Sequence, residues 1–137
     1  MPTPKRCFAF GQFLGRKLAG SEKSVAVVAT GGLSHWPGEA KHGKNNTSFD
    51  RKFLDTLISG DDAKLSAYSH EEINVEAGSG GHEIRTWIAL AGALPEWRGE
   101  LLAYEPIVPW ATGCALVVFH RSQDERQARS SRIAVTS

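Results

Sequence analysis

His35 and Glu83 are the two residues of this 137-residue chain whose types and settings could do chemistry together. His35 closes the stretch VAVVATGGLSH, just past a glycine pair. An imidazole titrates near neutrality, so it can take a proton from a hydroxyl and later return one to a departing oxygen. Glu83 follows GSGGH and opens an apolar, helix-periodic segment. Glycines beside both residues let a ligand approach the backbone closely. A hydrogen-bonded structural histidine and a glutamate serving the helix macrodipole account for the same two positions, so spacing alone leaves both readings open.

Neighbouring motifs narrow the chemistry by failing. GLSHW around Ser34 begins like a nucleophile elbow, G-x-S-x-G, but Trp36 stands where the sharp turn needs glycine. Ser34 and His35 are also sequence neighbours, and adjacent side chains in an extended segment point to opposite sides. His82-Glu83 begins like H-E-x-x-H, yet Thr86 replaces the second histidine. The GSGG from Gly78 completes neither a dinucleotide fingerprint, since Glu83 takes the last glycine position, nor a phosphate-binding loop.

The elements that must position His35 and Glu83 follow from periodicity. Phe10, Phe13, Leu14 and Leu18 recur at helical spacing, which predicts a helix over Lys5 to Leu18 with two internal glycines. Ser24 to Ala29 is a β-branched and alanine run closed by Thr30, Gly31 and Gly32, and is expected to be a short buried strand. His35 would then sit just beyond its carboxyl end, where ligands gather in open α/β sheets. Thr47 with Asp50 three residues on forms a capping-box pattern and starts a helix to about Ser59, closed by Gly60. Ile84, Trp87, Ile88, Ala91 and Leu94 make a second strong helical stripe, closed by Pro95, with Glu83 in its first turn. Glu105 to Gly113 reads as irregular, and Cys114 to Phe119 as a second strand. Alternating strand and helix make the class α/β. The domain is expected over residues 1–120, with a polar, disordered tail over 121–137.

Composition sets outer limits. Hydrophobic residues make up 41% and charged residues 23%, the balance of a soluble globular domain. Sixteen basic against fifteen acidic residues provide no global field for nucleic acid or an anionic membrane, and no window approaches the roughly eighteen apolar residues of a membrane span. Cys7 and Cys114 lack C-x-x-C spacing, which argues against a disulfide framework and fits a reducing cytoplasm.

Taken in order, PTPKRCFAFG, VAVVATGGLSH, NNTSFDRKFLDTLISGD, EAGSGGHEIRTWIALAGALPE and ATGCALVVF resemble the C-terminal half of the class III extradiol ring-cleavage dioxygenases, the superfamily of the protocatechuate 4,5-dioxygenase beta subunit. The resemblance covers Pro2 to Phe119 and implies a partial layered sheet-and-helix domain. It also implies a non-haem Fe(II) enzyme that opens a catechol-type ring beside its paired hydroxyls, inserting both atoms of O2. By the resemblance His35 is the acid/base and Glu83 the carboxylate ligand to iron. Ser34, Trp110 and Thr112 are its candidate substrate contacts.

Two departures come with the resemblance. The family's two iron-ligating histidines lie upstream of the segment matching PTPKRCFAFG, and His42, His70, His82 and His120 match no ligand position. Where the protocatechuate type carries a Ser-Asn pair for substrate, this chain has Trp110 and Ala111, followed by Thr112, which points to another catechol or an aminophenol. The expectation is a truncated or split enzyme, with Met1 to Pro4 as the linker between halves. It would associate through exposed apolar surface with a chain carrying the other half or with its own copies. The rival expectation is a non-catalytic remnant that keeps the fold as an interaction module.

Overall fold

The structure, a computed structural model, describes residues 1–121. The polar tail expected over 121–137 lies outside the described residues, apart from Arg121 at the end of the last strand. Among the described residues, five α-helices, two short 3-10 turns and a two-stranded antiparallel sheet make up the α/β fold.

Helix α1, Pro4–Leu18, begins where Thr3 accepts from the Arg6 N–H and Pro4 supplies a first-turn residue that needs no amide proton. Its internal Gly11 is a packing residue: a Cβ there would run into the Ala89 carbonyl of the helix over Ile84–Ala93, so the two helices meet backbone to backbone. Helix α2, Thr47–Ser59, puts Phe49, Phe53, Leu54 and Leu57 into the core and stops at left-handed Gly60. The expected capping box is corrected here. Asn46 caps α2 by accepting from the Phe49 N–H, and Asp50 is fully buried, turned to other partners.

The acid-rich stretch after α2 folds into α3, Asp62–Ala67, and α4, His70–Ala77, capped by Asp61 and Ser69. A single 3-10 turn, Gly80–Glu83, then leads into α5, Ile84–Ala93, whose Ile84, Trp87, Ile88 and Ala91 close the core against Leu33, Phe53 and Ile73. Glu83 therefore belongs to the turn before the helix.

Strand β1, Trp97–Ile107, pairs with β2, Thr112–Arg121, around a 3-10 turn at Val108–Trp110. The second strand exceeds the expected Cys114 to Phe119, and of the segment expected to be irregular, Glu105 to Ile107 end β1 while Thr112 and Gly113 begin β2. The strand expected over Ser24 to Ala29 is absent. Its residues run without a sheet partner among the described residues, and Val25, Val27 and Val28 are exposed. β-branched composition favours a pleated, half-buried surface, but a strand exists only by pairing.

Candidate active site

The loop carrying His35 is pinned on every side by backbone. The Leu33 N–H donates to the Gly113 carbonyl at 2.8 Å, and the Gly113 N–H to the Ser34 carbonyl at 3.2 Å, tying the loop to the start of β2. The His35 N–H donates to the Ala77 carbonyl at 2.8 Å, and the Gly80 N–H to the His35 carbonyl at 3.2 Å, tying it to the segment before α5. A third tie runs from the glycine pair to α5. The Thr86 hydroxyl donates to the Thr30 carbonyl at 2.6 Å and the Trp87 indole N–H to the Gly31 carbonyl at 3.2 Å.

This bracing brings His35 and Glu83, 48 positions apart in sequence, to the same glycine pair. The Gly32 N–H donates to Glu83 Oε2 at 2.5 Å, and a Cβ on Gly32 would lie 3.2 Å from His35 Cε1 and against the Thr112 methyl. Gly31 has φ +132°, and a Cβ on it would come within 2.7 Å of Glu83 Cβ. Only glycine allows that backbone together with so close an approach.

The half-buried imidazole is oriented by one contact, Nδ1 to the Leu33 carbonyl at 2.9 Å. A carbonyl only accepts, so Nδ1 carries the proton and the neutral ring keeps its lone pair on Nε2. Nε2 lies over Gly80, where a Cβ would collide with it. A base needs this arrangement, with one nitrogen anchored and the other available.

The other candidates separate. Thr112 abuts Gly32, with its hydroxyl donating to the Trp110 carbonyl at 3.0 Å. Trp110 is 70% exposed on the turn between the strands. Ser34 is fully buried and faces away: its hydroxyl donates to Asp50 Oδ2 at 3.0 Å and accepts from the Asn46 N–H at 2.7 Å. That hydroxyl is engaged in holding the loop.

Sequence reasoning did not find Asp50 as part of this site. Its carboxylate also accepts the Ser34 N–H at Oδ1, 2.8 Å, and the Tyr104 hydroxyl at Oδ2, 2.9 Å. Burial pushes the Asp50 carboxyl up, against the pull of the Ser34 and Tyr104 donors. The Tyr104 phenol is pushed up by burial and by its bond to Asp50. The one available signal was a capping-box acid on the same helical face as Phe53 and Leu57.

His82, next to Glu83, turns the other way. It is buried, stacks on His70 at 4.3 Å between ring centroids, and takes an Arg85 Nη1–H bond on Nδ1. Arg85 is itself buried and also donates to the Pro2 carbonyl at 2.9 Å and to His70 Nδ1 at 3.3 Å. Among the described residues no group of three or more His, Cys, Asp or Glu side chains is placed to hold a metal. Glu83 offers one carboxylate, so an iron ion does not fit these residues on their own.

The family model of the catalytic LigB subunit of aromatic ring-opening dioxygenase matches residues 1–115. The chain belongs to that family. Among curated proteins it is 36% identical over 96 residues to gallate dioxygenase of Pseudomonas putida, covering 69% of this chain and 28% of that protein. It is 29% identical to 2,3-dihydroxyphenylpropionate/2,3-dihydroxicinnamic acid 1,2-dioxygenases of Azotobacter vinelandii and Paraburkholderia xenovorans. Those matches cover 85% and 80% of this chain and 52% and 49% of theirs. The chain thus spans about half the length, or less, of these relatives. No helix among the described residues is long and apolar enough to cross a membrane.

Proposed function

We propose that this chain is the acid/base-bearing part of an extradiol dioxygenase acting on an aromatic ring with adjacent hydroxyls, a reading supported by its family of aromatic ring-opening dioxygenases and by the dioxygenase names of its gallate and 2,3-dihydroxyphenylpropionate relatives. In that reaction the ring C–C bond beside the diol breaks and both atoms of O2 enter the product, so no separate reductant is consumed. The observation that carries the reading is the pose of His35, whose Nδ1 is anchored on Leu33 while Nε2, beside Gly80, has no hydrogen bond among the described residues. Nε2 takes the proton of a substrate hydroxyl and returns one as the ring opens. Thr112 borders the same space through Gly32.

Glu83 supplies one carboxylate to a ferrous site whose other donors come from outside the described residues. A metal held partly by Glu83 would supply Lewis-acid chemistry toward the diol. The Gly32 N–H, donating to Glu83 Oε2, holds that carboxylate in place. The exposed Val25, Val27 and Val28 fit a surface covered by the part of the family fold that the relatives carry beyond the matched region. Cys7 and Cys114 are both free, which fits the cytoplasm.

Co-expression with the unmatched half of a relative, followed by ring cleavage and O2 uptake on gallate and 2,3-dihydroxyphenylpropionate, tests the proposal. Activity that appears with the pair and disappears with Glu83→Ala is the expected result. Stable pairing without cleavage or iron retention would replace it with the interaction-module reading.

A further inference from the structure

The peptide between Leu33 and Ser34 is shared by two hydrogen bonds. On one side its N–H donates to Asp50 Oδ1 at 2.8 Å, and on the other its carbonyl, from Leu33, accepts from His35 Nδ1 at 2.9 Å. No peptide bond in the described chain is cis, so the N–H and C=O of this unit point in opposite directions. A continuous line follows: carboxylate, peptide, imidazole. We propose that Asp50 is the positioning residue for His35, acting through this one peptide to hold the proton on Nδ1 and so keep Nε2 as the basic nitrogen. The proposal rests on the acid/base reading of His35 given above.

Several observations single out Asp50. It is fully buried, and each of its three partners, the Ser34 N–H, the Ser34 hydroxyl and the Tyr104 hydroxyl, donates to it. The Ser34 hydroxyl already accepts from the Asn46 N–H, so its own proton is free to go to Asp50. The Ser34 N–H can only donate and both hydroxyls can add their protons, so three hydrogen bonds are available to a carboxylate there. Neither of the ion pairs among the described residues involves Asp50.

A buried carboxylate without a cation is costly, while an apolar residue in its place would leave the buried Ser34 N–H without its acceptor. A carboxylate accepting the N–H polarises the peptide and makes its carbonyl a stronger acceptor, as hydrogen bonds in a chain reinforce one another. The carboxylate itself is held from behind. Tyr104 reaches it from β1 with the Arg51 guanidinium 4.9 Å over its ring, and a Cβ at Gly113 would collide with Oδ2.

The test is the 15N signature of the His35 imidazole in the intact chain, read at a pH where the ring is neutral. Wild type is expected in the Nδ1–H form. Asp50→Asn keeps the shape and an acceptor but loses the charge, and should raise the Nε2–H fraction about fivefold, the order expected for the net worth of one hydrogen bond. Tyr104→Phe leaves the Ser34 contact and should leave the ratio unchanged. In a complemented assembly Asp50→Asn should lower kcat about tenfold with KM held, the pattern of a base out of position.

An unchanged ratio in folded Asp50→Asn overturns the proposal. If that variant does not fold, the wild-type Ser34 amide decides: slow solvent exchange supports the Asp50 contact, and rapid exchange overturns it. The expected tautomer response, with no ring cleavage in any complemented assembly, would defeat the dioxygenase reading alone.

Discussion

His35 and His82 lie on the two sides of the segment that leads into α5, and the structure gives them opposite tautomers. His35 donates from Nδ1 to a carbonyl and keeps its Nε2 lone pair beside a glycine. His82 accepts on Nδ1 from Arg85, which can only donate, so its proton sits on Nε2, buried and without a partner. Burial first, then Arg85 and His70, hold His82 down to about 4, far below an ordinary imidazole. One histidine is anchored so that a nitrogen remains available, and the other is fixed so that none is. Hydrogen-bond partners separate the two roles where sequence neighbourhood does not: His82 adjoins Glu83, while His35, 48 residues away, shares its glycine pair.

The largest break in that comparison comes from removing each ring in turn. In the complemented assembly His35→Ala should lower kcat by roughly 10²- to 10⁴-fold, the range of general acid–base catalysis, and leave folding stability nearly unchanged. His82→Ala should act on the fold, costing about 1–3 kcal/mol because buried Arg85 loses a partner. Steady-state kinetics and urea titration on both variants separate these outcomes. Equal loss of activity per folded molecule in both would erase the distinction.

A second test uses pH. Folded His82 stays neutral down to about pH 4, whereas in the unfolded chain it takes up a proton near its ordinary value of 6.5. Between those values the unfolded state binds more protons, so the His82 contribution is complete above about pH 6.5 and is lost as pH falls toward 4. The whole loss amounts to roughly 3 kcal/mol at most. Urea midpoints measured from pH 7 to pH 4 should fall for wild type and fall less for His82→Ala.

The same contrast shows what was legible in the sequence. Helices α1, α2 and α5 follow from periodicity and their terminators, because an amphipathic stripe is a local property. Strand β1 was missed for a physical reason: burial alternates from Trp97 to Leu101, then the register shifts between Leu101 and Ala103 and the alternation changes phase. Ser24–Ala29 failed in the opposite sense, having strand composition without a strand partner among the described residues. Within the site, His35 and Glu83 could be singled out from residue type and glycine context. The part played by Asp50 could not, since the loop it holds lies 16 residues back and its bond to Ser34 N–H depends on tertiary packing.

The finest test leaves both histidines in place and changes only the space beside His35. Gly80 stands in the 3-10 turn, its N–H bonded to the His35 carbonyl, and a methyl group there would occupy the volume at Nε2. Gly80→Ala should push the whole His35 ring aside and weaken its Leu33 contact, since the added methyl would meet Nε2, Cδ2 and Cε1 together. His35 is on the half-buried side of the loop, so the chain should stay folded while the base is moved from its place beside Gly80. In the complemented assembly kcat should fall about tenfold, because a displaced proton acceptor loses part of the acid–base contribution. His82→Ala, made alongside it, leaves that space untouched. A Gly80→Ala enzyme with wild-type kcat would show that the hydroxyl reaches His35 from another side and that Nε2 over Gly80 is not the working nitrogen.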